Sequence, residues 1–257
     1  MPWRTRLAVL SRLLAVQGSW NYETMVGNGI GFSMEPALRA LRRDHGEQAY
    51  AEALARQSRY FNAHPYLASI AVGALARAEV DELPPAQVER FRTALVGPLG
   101  SVGDRLVWAG WLPFSSLLAL LAYGLGAGPL AVVLIFLLVY NVGHIGLRAW
   151  GLEVGWRHGL RVAPALAHPI LRQGPQYLMR AVLFLAGAAL PLVIARVLTA
   201  GPGRVPLGWN TLLAGTVATL IGAALVAALL LHLHGRLEGW RVTLAVLVLV
   251  ILFAVMA

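Results

Sequence analysis

Two interrupted apolar stretches carry the side chains in this chain best suited to chemistry. In Phe61-Asn-Ala-His-Pro-Tyr66, Pro65 forces a break in regular structure, and Asn62 and His64 supply donors and acceptors beside it. In Gly97-Pro-Leu-Gly-Ser-Val-Gly-Asp104 a glycine-rich run ends on a carboxylate, with Trp108 and a long apolar stretch directly after it. A carboxylate with Asn, His and Trp neighbours meets the needs of a polyhydroxylated ring. Hydroxyls want paired acceptors and donors, and an aromatic face covers the C–H surface. Asp104 also has a plainer reading, an N-cap at the start of a helix whose free amides stabilise its charge.

The remaining combinations read as structural. Asn141 follows an apolar run and suits helix–helix hydrogen bonding. His232-Leu-His234 is no metal pair, because residues two apart on a helix do not share a face. Gly27-Asn-Gly-Ile-Gly31 fails the dinucleotide spacing at Phe32. Gly151, Gly155 and Gly159 recur every four residues, the spacing that lets helices approach closely. No Gly-x-Ser-x-Gly elbow, His-Glu-x-x-His or Walker lysine occurs, and the absence of cysteine excludes thiolate chemistry. An intramembrane enzyme built on His64, Asp104 and His144 is the weakest reading, since scattered ionisable groups of this kind lack a nucleophile–base pattern.

The elements that must position these groups are membrane helices. The chain has 257 residues, 58% hydrophobic and 13% charged, against roughly 25% charged in soluble domains. Its formal charge is +9, all of the basic side chains being Arg. Residues 1–105 hold 12 Arg and 10 acids, whereas residues 106–257 hold 9 Arg and 2 acids. The excess positive charge therefore lies in the apolar half, where it sets orientation and argues against nucleic acid as a partner. Between Arg105 and Arg148 lie 42 residues without Asp, Glu or Arg. At about 1.5 Å per residue that is two crossings of a ~30 Å core, turning at Gly124-Leu-Gly-Ala-Gly-Pro129. Three further spans fall at about 180–199, 211–232 and 242–255, the first and last short enough to call for tilt, snorkelling of Arg196 or partial insertion.

Five crossings result. The segment Gly143–Arg180, with five Arg and Glu153 alone, is read as a cytoplasmic loop, which puts the N-terminus inside and the C-terminus outside. Trp3, Leu7, Leu10 and Leu14 recur at helical spacing beside Arg4, Arg6 and Arg12, a helix lying on membrane lipid or packed on the protein itself. Glu35-Pro36 opens a helical stretch broken at Asp44-His-Gly46, and a second stretch runs from Glu47 to Phe61. Pro65–Ala76 is apolar but has the length of a re-entrant segment, and Glu79–Arg92 reads as a solvated connection. The fold class is thus all-α and integral to the membrane. Residues 1–105 form an amphipathic and re-entrant helical region and 106–257 the membrane-spanning region.

Five motifs, in one order, now carry a resemblance: Gln17-Gly-Ser-Trp-Asn21-Tyr-Glu-Thr-Met25, Gly31-Phe-Ser-Met-Glu-Pro-Ala37, Phe61–Tyr66, Gly97–Asp104 and Gly151-x3-Gly155-x3-Gly159. Across about residues 7–165 the chain closely resembles the IID subunit of the mannose/fructose/sorbose family of bacterial sugar phosphotransferase systems. The resemblance implies a non-catalytic subunit of the bacterial inner membrane, without a cofactor or metal, assembled with a IIC subunit as a trimer of IIC–IID pairs. That complex conducts a hexose-type sugar inward, where soluble IIAB phosphorylates it. It further implies that Gln17, Asn21, Glu23, Asn62, His64, Asp104 and Trp108 approach the sugar path.

Two positions depart from the family pattern. Where an Arg-Pro pair follows the Gly-Asp motif, this chain has Leu112-Pro113, and where an Arg follows the Asn of the next span it has His144. These departures support an alternative, a degenerate or regulatory IID-like docking protein that does not move sugar.

Overall fold

The computed structural model of the chain describes residues 1–200, with side chains through Val197. The expected spans at 211–232 and 242–255, and His232-Leu-His234, lie outside the described residues. The chain divides into two compact units. Of the described residues, the first comprises Met1–Ser116 and Leu134–Val182, and the second comprises Leu117–Val133 with residues 183–200.

The first unit begins with α1 (Trp3–Leu13), which packs on α2 (Gly27–Gln57). The packed stripe is Val9 and Leu13, continued by Val16, while Trp3, Leu7 and Leu14 stay exposed. Helix α1 thus has one apolar face on the protein and another turned outward. Helix α2 starts earlier than Glu35, and Pro36 lies inside it. A proline there removes the N–H that would bond the carbonyl of Phe32. That orphan carbonyl accepts instead from Arg12 Nη1 at 2.9 Å. The expected break is real and falls at Gly46, where φ is 89°.

Helix α3 (Ala68–Val80) occupies the core of this unit. Thirteen residues at about 1.5 Å each are too short to cross a bilayer, and nearly every side chain along it is buried against protein. It crosses α6 (Pro129–His158) at close range through glycines. A Cβ on Gly155 would fall 2.2 Å from the Ile70 carbonyl oxygen, and one on Gly73 would fall 2.4 Å from that of Leu152. The glycine spacing therefore serves helix crossing at Gly151 and Gly155. Gly159 differs, because its φ of 52° ends α6 and opens a 3-10 turn (Gly159–Arg161).

The expected connection at Glu79–Arg92 shrinks to a short turn, because α4 (Pro85–Gly103) begins at Pro85 and buries Arg92. From α4 the chain runs without interruption through a π-helical segment (Asp104–Trp111) into α5 (Leu112–Gly124). Asp104 is therefore inside a continuous helix, which corrects its reading as an N-cap. The hairpin turn falls where the sequence places it, with Gly126 at φ 107°, a conformation that favours glycine.

Short α7 (Ala163–Leu166) leads to α8 (Pro169–Ala200). Because α8 starts at Pro169, the third span is full length, and Gly143–Arg180 is not a loop. Arg148 and Arg157 lie in α6, Arg172 and Arg180 in α8, and only Arg161 lies in the connection between them. In the second unit Arg196 does not snorkel. It stacks over Tyr123 at 4.1 Å and donates to the Tyr123 and Ala127 carbonyls, closing the end of α5 and the turn after it. The described residues are helical without a strand, and three helices are long and apolar enough to cross a membrane: Pro85–Gly124, Pro129–Arg161 and Ala163–Val197.

Candidate functional site

The loop between α1 and α2 is tied by its backbone to the segment after α2. Met25 bridges both Asn21 and Phe61, and the Phe61 N–H donates to the Thr24 carbonyl at 3.1 Å. Asn21 shapes this loop. Its Oδ1 accepts from the N–H groups of Glu23 and Thr24 at 2.9 and 2.8 Å, and its Nδ2 donates to Thr24 Oγ1 at 2.9 Å, an Asx turn. Gln17 and Glu23 project from the same loop and are exposed.

The irregular segment from Ser58 to Leu67 is held by two buried arginines. Arg92 donates to the carbonyls of Arg59 and Tyr60 at 2.6 and 2.8 Å and stacks on Phe61 at 5.1 Å. Arg148 donates to the carbonyls of Leu13 and Pro65. Irregular backbone beside apolar surface needs such internal partners. Sequence reasoning missed both side chains, counting Arg148 as a loop charge. The signal was an arginine within an otherwise uncharged helical run, since a charge there must find partners inside the protein.

His64 lies at the centre of this segment and is 2% exposed. Its ring packs on Gly103, where a Cβ would fall 2.1 Å from His64 Cβ, so only glycine admits the contact. Nδ1 accepts the Tyr66 N–H at 3.2 Å, which leaves the proton of a neutral ring on Nε2, buried and unpartnered. Burial, reinforced by the Arg148 charge, lowers the His64 pKa to about 4. The imidazole is thus a neutral donor at physiological pH.

Trp108 from the π-helical segment lies 5.1 Å from the His64 ring and is 44% exposed, offering a free aromatic face. Asn62 is exposed beside α4, and Asp104 is exposed at the start of the π-helical segment. Behind them Tyr66 joins Tyr140 through their hydroxyls and packs on His144 at 4.4 Å. Burial raises the Tyr66 pKa, so its hydroxyl stays protonated. The structure brings His64 and Trp108 into contact and ties the Asn21 loop to their segment through its backbone. The groove of about 780 Å³ beside Tyr66, lined by Trp111, Trp150, Gln173 and Tyr177, contains none of the seven expected residues.

Asn141 bonds within α6, donating to the Leu137 carbonyl at 2.7 Å with its Oδ1 3.3 Å from His144 Nδ1, which is not the interhelical link its position suggests.

A family model described as "PTS system mannose/fructose/sorbose family IID component" matches residues 3–257. The chain belongs to this IID family. It is 30% identical over 195 residues to the mannose-specific EIID component of Escherichia coli K12, covering 70% of this chain and 68% of that one. The fructose permease IID component of Bacillus subtilis is 27% identical over 194 residues, covering 70% and 69%. The sorbose-specific EIID component of Klebsiella pneumoniae is 30% identical over 164 residues, covering 61% and 58%. The IID chain also shares its fold with a solved chain from the complex of the mannose transporter ManYZ with microcin E492. There the TM-score is 0.57 at 22% identity, over 100% of this chain and 97% of that one. A second solved chain, described as a membrane protein, gives a TM-score of 0.65 at 23% identity, over 99% and 97%. This IID chain is therefore a membrane component of a phosphotransferase-system permease.

Proposed function

We propose that this chain, paired with a IIC subunit, forms the inward path for a hexose-type sugar, with phosphoryl transfer left to soluble IIAB. The family match along nearly the whole chain carries this reading. The local geometry supports it: a buried neutral imidazole, an exposed indole face 5.1 Å away and a nearby carboxylate are groups that bind hydroxylated rings without reacting with them. In this reading His64 and Trp108 contact the sugar path, Asn62 and Asp104 lie along it, Gln17 and Glu23 form its edge, and Asn21 shapes the loop that carries them. The assembly is a trimer of IIC–IID pairs with the N-terminus cytoplasmic and the C-terminus outside.

The test is uptake of radiolabelled hexoses by cells lacking other mannose-family permeases and expressing this chain with its IIC and IIAB partners. Saturable uptake that requires IIAB is expected. The second reading, a docking protein without transport, is favoured by Leu112 and His144. It predicts a stable complex with the IIC subunit and no flux, so robust uptake rejects it.

A further inference from the structure

Arginine usage in the first unit is uneven. Arg6, Arg12, Arg39, Arg42, Arg56, Arg77 and Arg157 each pair with an acid. Arg92 and Arg148 spend their guanidinium groups on buried carbonyls. Arg105, Arg172 and Arg180, like several exposed arginines elsewhere in the unit, do neither; Arg105 donates only to the exposed Ser101 carbonyl at 3.2 Å, and Arg180 lies over the Tyr177 ring. Among the described residues none of the three has an acidic partner, and all three line one open groove of about 770 Å³ with Gln176, Leu171 and Met179. No acid lines that groove.

The placement has a physical cause. Residues 172, 176 and 180 are spaced four apart and so form one stripe on α8. Arg105 faces them from the π-helical segment. The two helices approach through glycines in matched register: a Cβ on Gly174 would fall 3.0 Å from Leu106 Cδ1, and one on Gly110 would fall 3.0 Å from Leu178 Cδ1. The pairs 106 with 174 and 110 with 178 advance together, so the helices run parallel here, with Arg105 level with residues 172–173 and Arg180 about two turns further along α8. Arg105 is the last charge before residues 106–147, and Arg180 the last before 181–195, both uncharged. The arginines therefore line the stretch of about two helical turns over which two adjacent spans enter the hydrocarbon. Lys and Arg gathered between spans along such a stretch attract anionic headgroups, and guanidinium groups grip phosphate oxygens in pairs.

We propose that this groove binds the phosphate of an anionic phospholipid, with Arg105, Arg172 and Arg180 on the headgroup and the exposed Met179 against its apolar part. A lipid held there bridges α8 to the π-helical segment that carries Asp104 and Trp108.

Titration of the full-length chain, purified with its co-isolated membrane partner, tests this by thermal stability and by native mass spectrometry of retained lipid. The arms are phosphatidylglycerol, phosphatidylcholine and inorganic phosphate. Phosphatidylglycerol should raise the melting temperature and stay bound, and phosphatidylcholine should do neither. The triple variant Arg105→Gln/Arg172→Gln/Arg180→Gln should weaken phosphatidylglycerol binding tenfold or more. The corresponding triple Lys variant should recover most of it, and Arg90→Gln, an exposed charge elsewhere, should change nothing. An equal response to phosphatidylcholine, or undiminished binding by the triple Gln variant, overturns the proposal. A full response to inorganic phosphate alone also overturns it, and assigns the groove to a free anion.

Discussion

The guanidinium of Arg148 stands over the ring of Tyr66, its Cζ 4.7 Å from the ring centroid, and is 4% exposed. From that position it donates to the carbonyls of Leu13 and Pro65, so one side chain from α6 joins the end of α1 to the segment carrying His64. Replacing it takes a donor from both carbonyls and leaves that of Leu13 only the Val16 N–H at 3.3 Å. Arg148→Met should cost about 2–4 kcal/mol and lower the melting temperature by several degrees. Arg148→Lys should recover only part of this, because a compact ammonium lacks the planar fork. Thermal unfolding of the purified variants in detergent measures both effects. A neutral Arg148→Met would show that neither carbonyl depends on it.

Two glycines of one sequence should respond oppositely to the same added methyl. In Gly155→Ala the new Cβ meets backbone, with Ile70 O at 2.2 Å and Ala74 N at 2.8 Å, and backbone cannot swing aside. A loss of about 1–3 kcal/mol is expected. Gly97 in α4 has nothing within 4 Å, so Gly97→Ala should be neutral or stabilise by up to about 1 kcal/mol through helix propensity. Melting temperatures of the pair decide this, and equal destabilisation would refute the α3–α6 crossing as the cause.

These contrasts show what the sequence could convey. The hairpin turn was legible because glycine, proline and an uncharged run are local signals, and Gly126 and Pro129 stand where those signals put them. The family was legible because its motifs are contiguous stretches. Arg92 and Arg148 were not legible as staples, because their partners are carbonyls 33 and 135 residues away and a carbonyl has no sequence signature. Asp104 misled for a related reason. A glycine-rich run before an acid signals a helix start only if the helix stops first, and here tertiary contacts carry α4 straight through Pro98 and Gly103 into the π-helical segment. The position of α3 was hidden as well, since a short apolar run reads alike whether lipid or protein surrounds it.

The buried His64 makes stability depend on pH. Its pKa is held at about 4 in the folded chain against an ordinary 6.5, mainly by burial. Between those values the unfolded chain binds a proton that the folded chain refuses, so stability is complete above about pH 6.5 and falls as pH drops toward 4. The upper bound is about 3.5 kcal/mol. Melting temperatures from pH 7.5 to pH 4.5 should decline, and His64→Gln, which has no such proton, should decline less steeply. Parallel curves for the two proteins would remove His64 as the cause.

Transport variants separate a sugar path from a structural role. The face of Trp108 is free, so Trp108→Ala removes surface a pyranose would cover while disturbing little beyond the His64 contact, and Trp108→Phe keeps part of that surface. Asn62 and Asp104 are exposed and, among the described residues, their side chains form no hydrogen bond or ion pair, so removing them should leave the fold intact. Loss of a neutral hydrogen bond, about 0.5–1.5 kcal/mol, predicts a several-fold to tenfold rise in the apparent KM of uptake for Asn62→Ala. Loss of a charge-assisted bond, about 1.5–3 kcal/mol, predicts tenfold or more for Asp104→Ala. Trp108→Ala should exceed Trp108→Phe. Each variant should still co-purify with the IIC subunit in normal yield, because none of these side chains supports the fold. Normal uptake kinetics in Asn62→Ala and Asp104→Ala would remove these residues from the path, and lost co-purification would make their role structural.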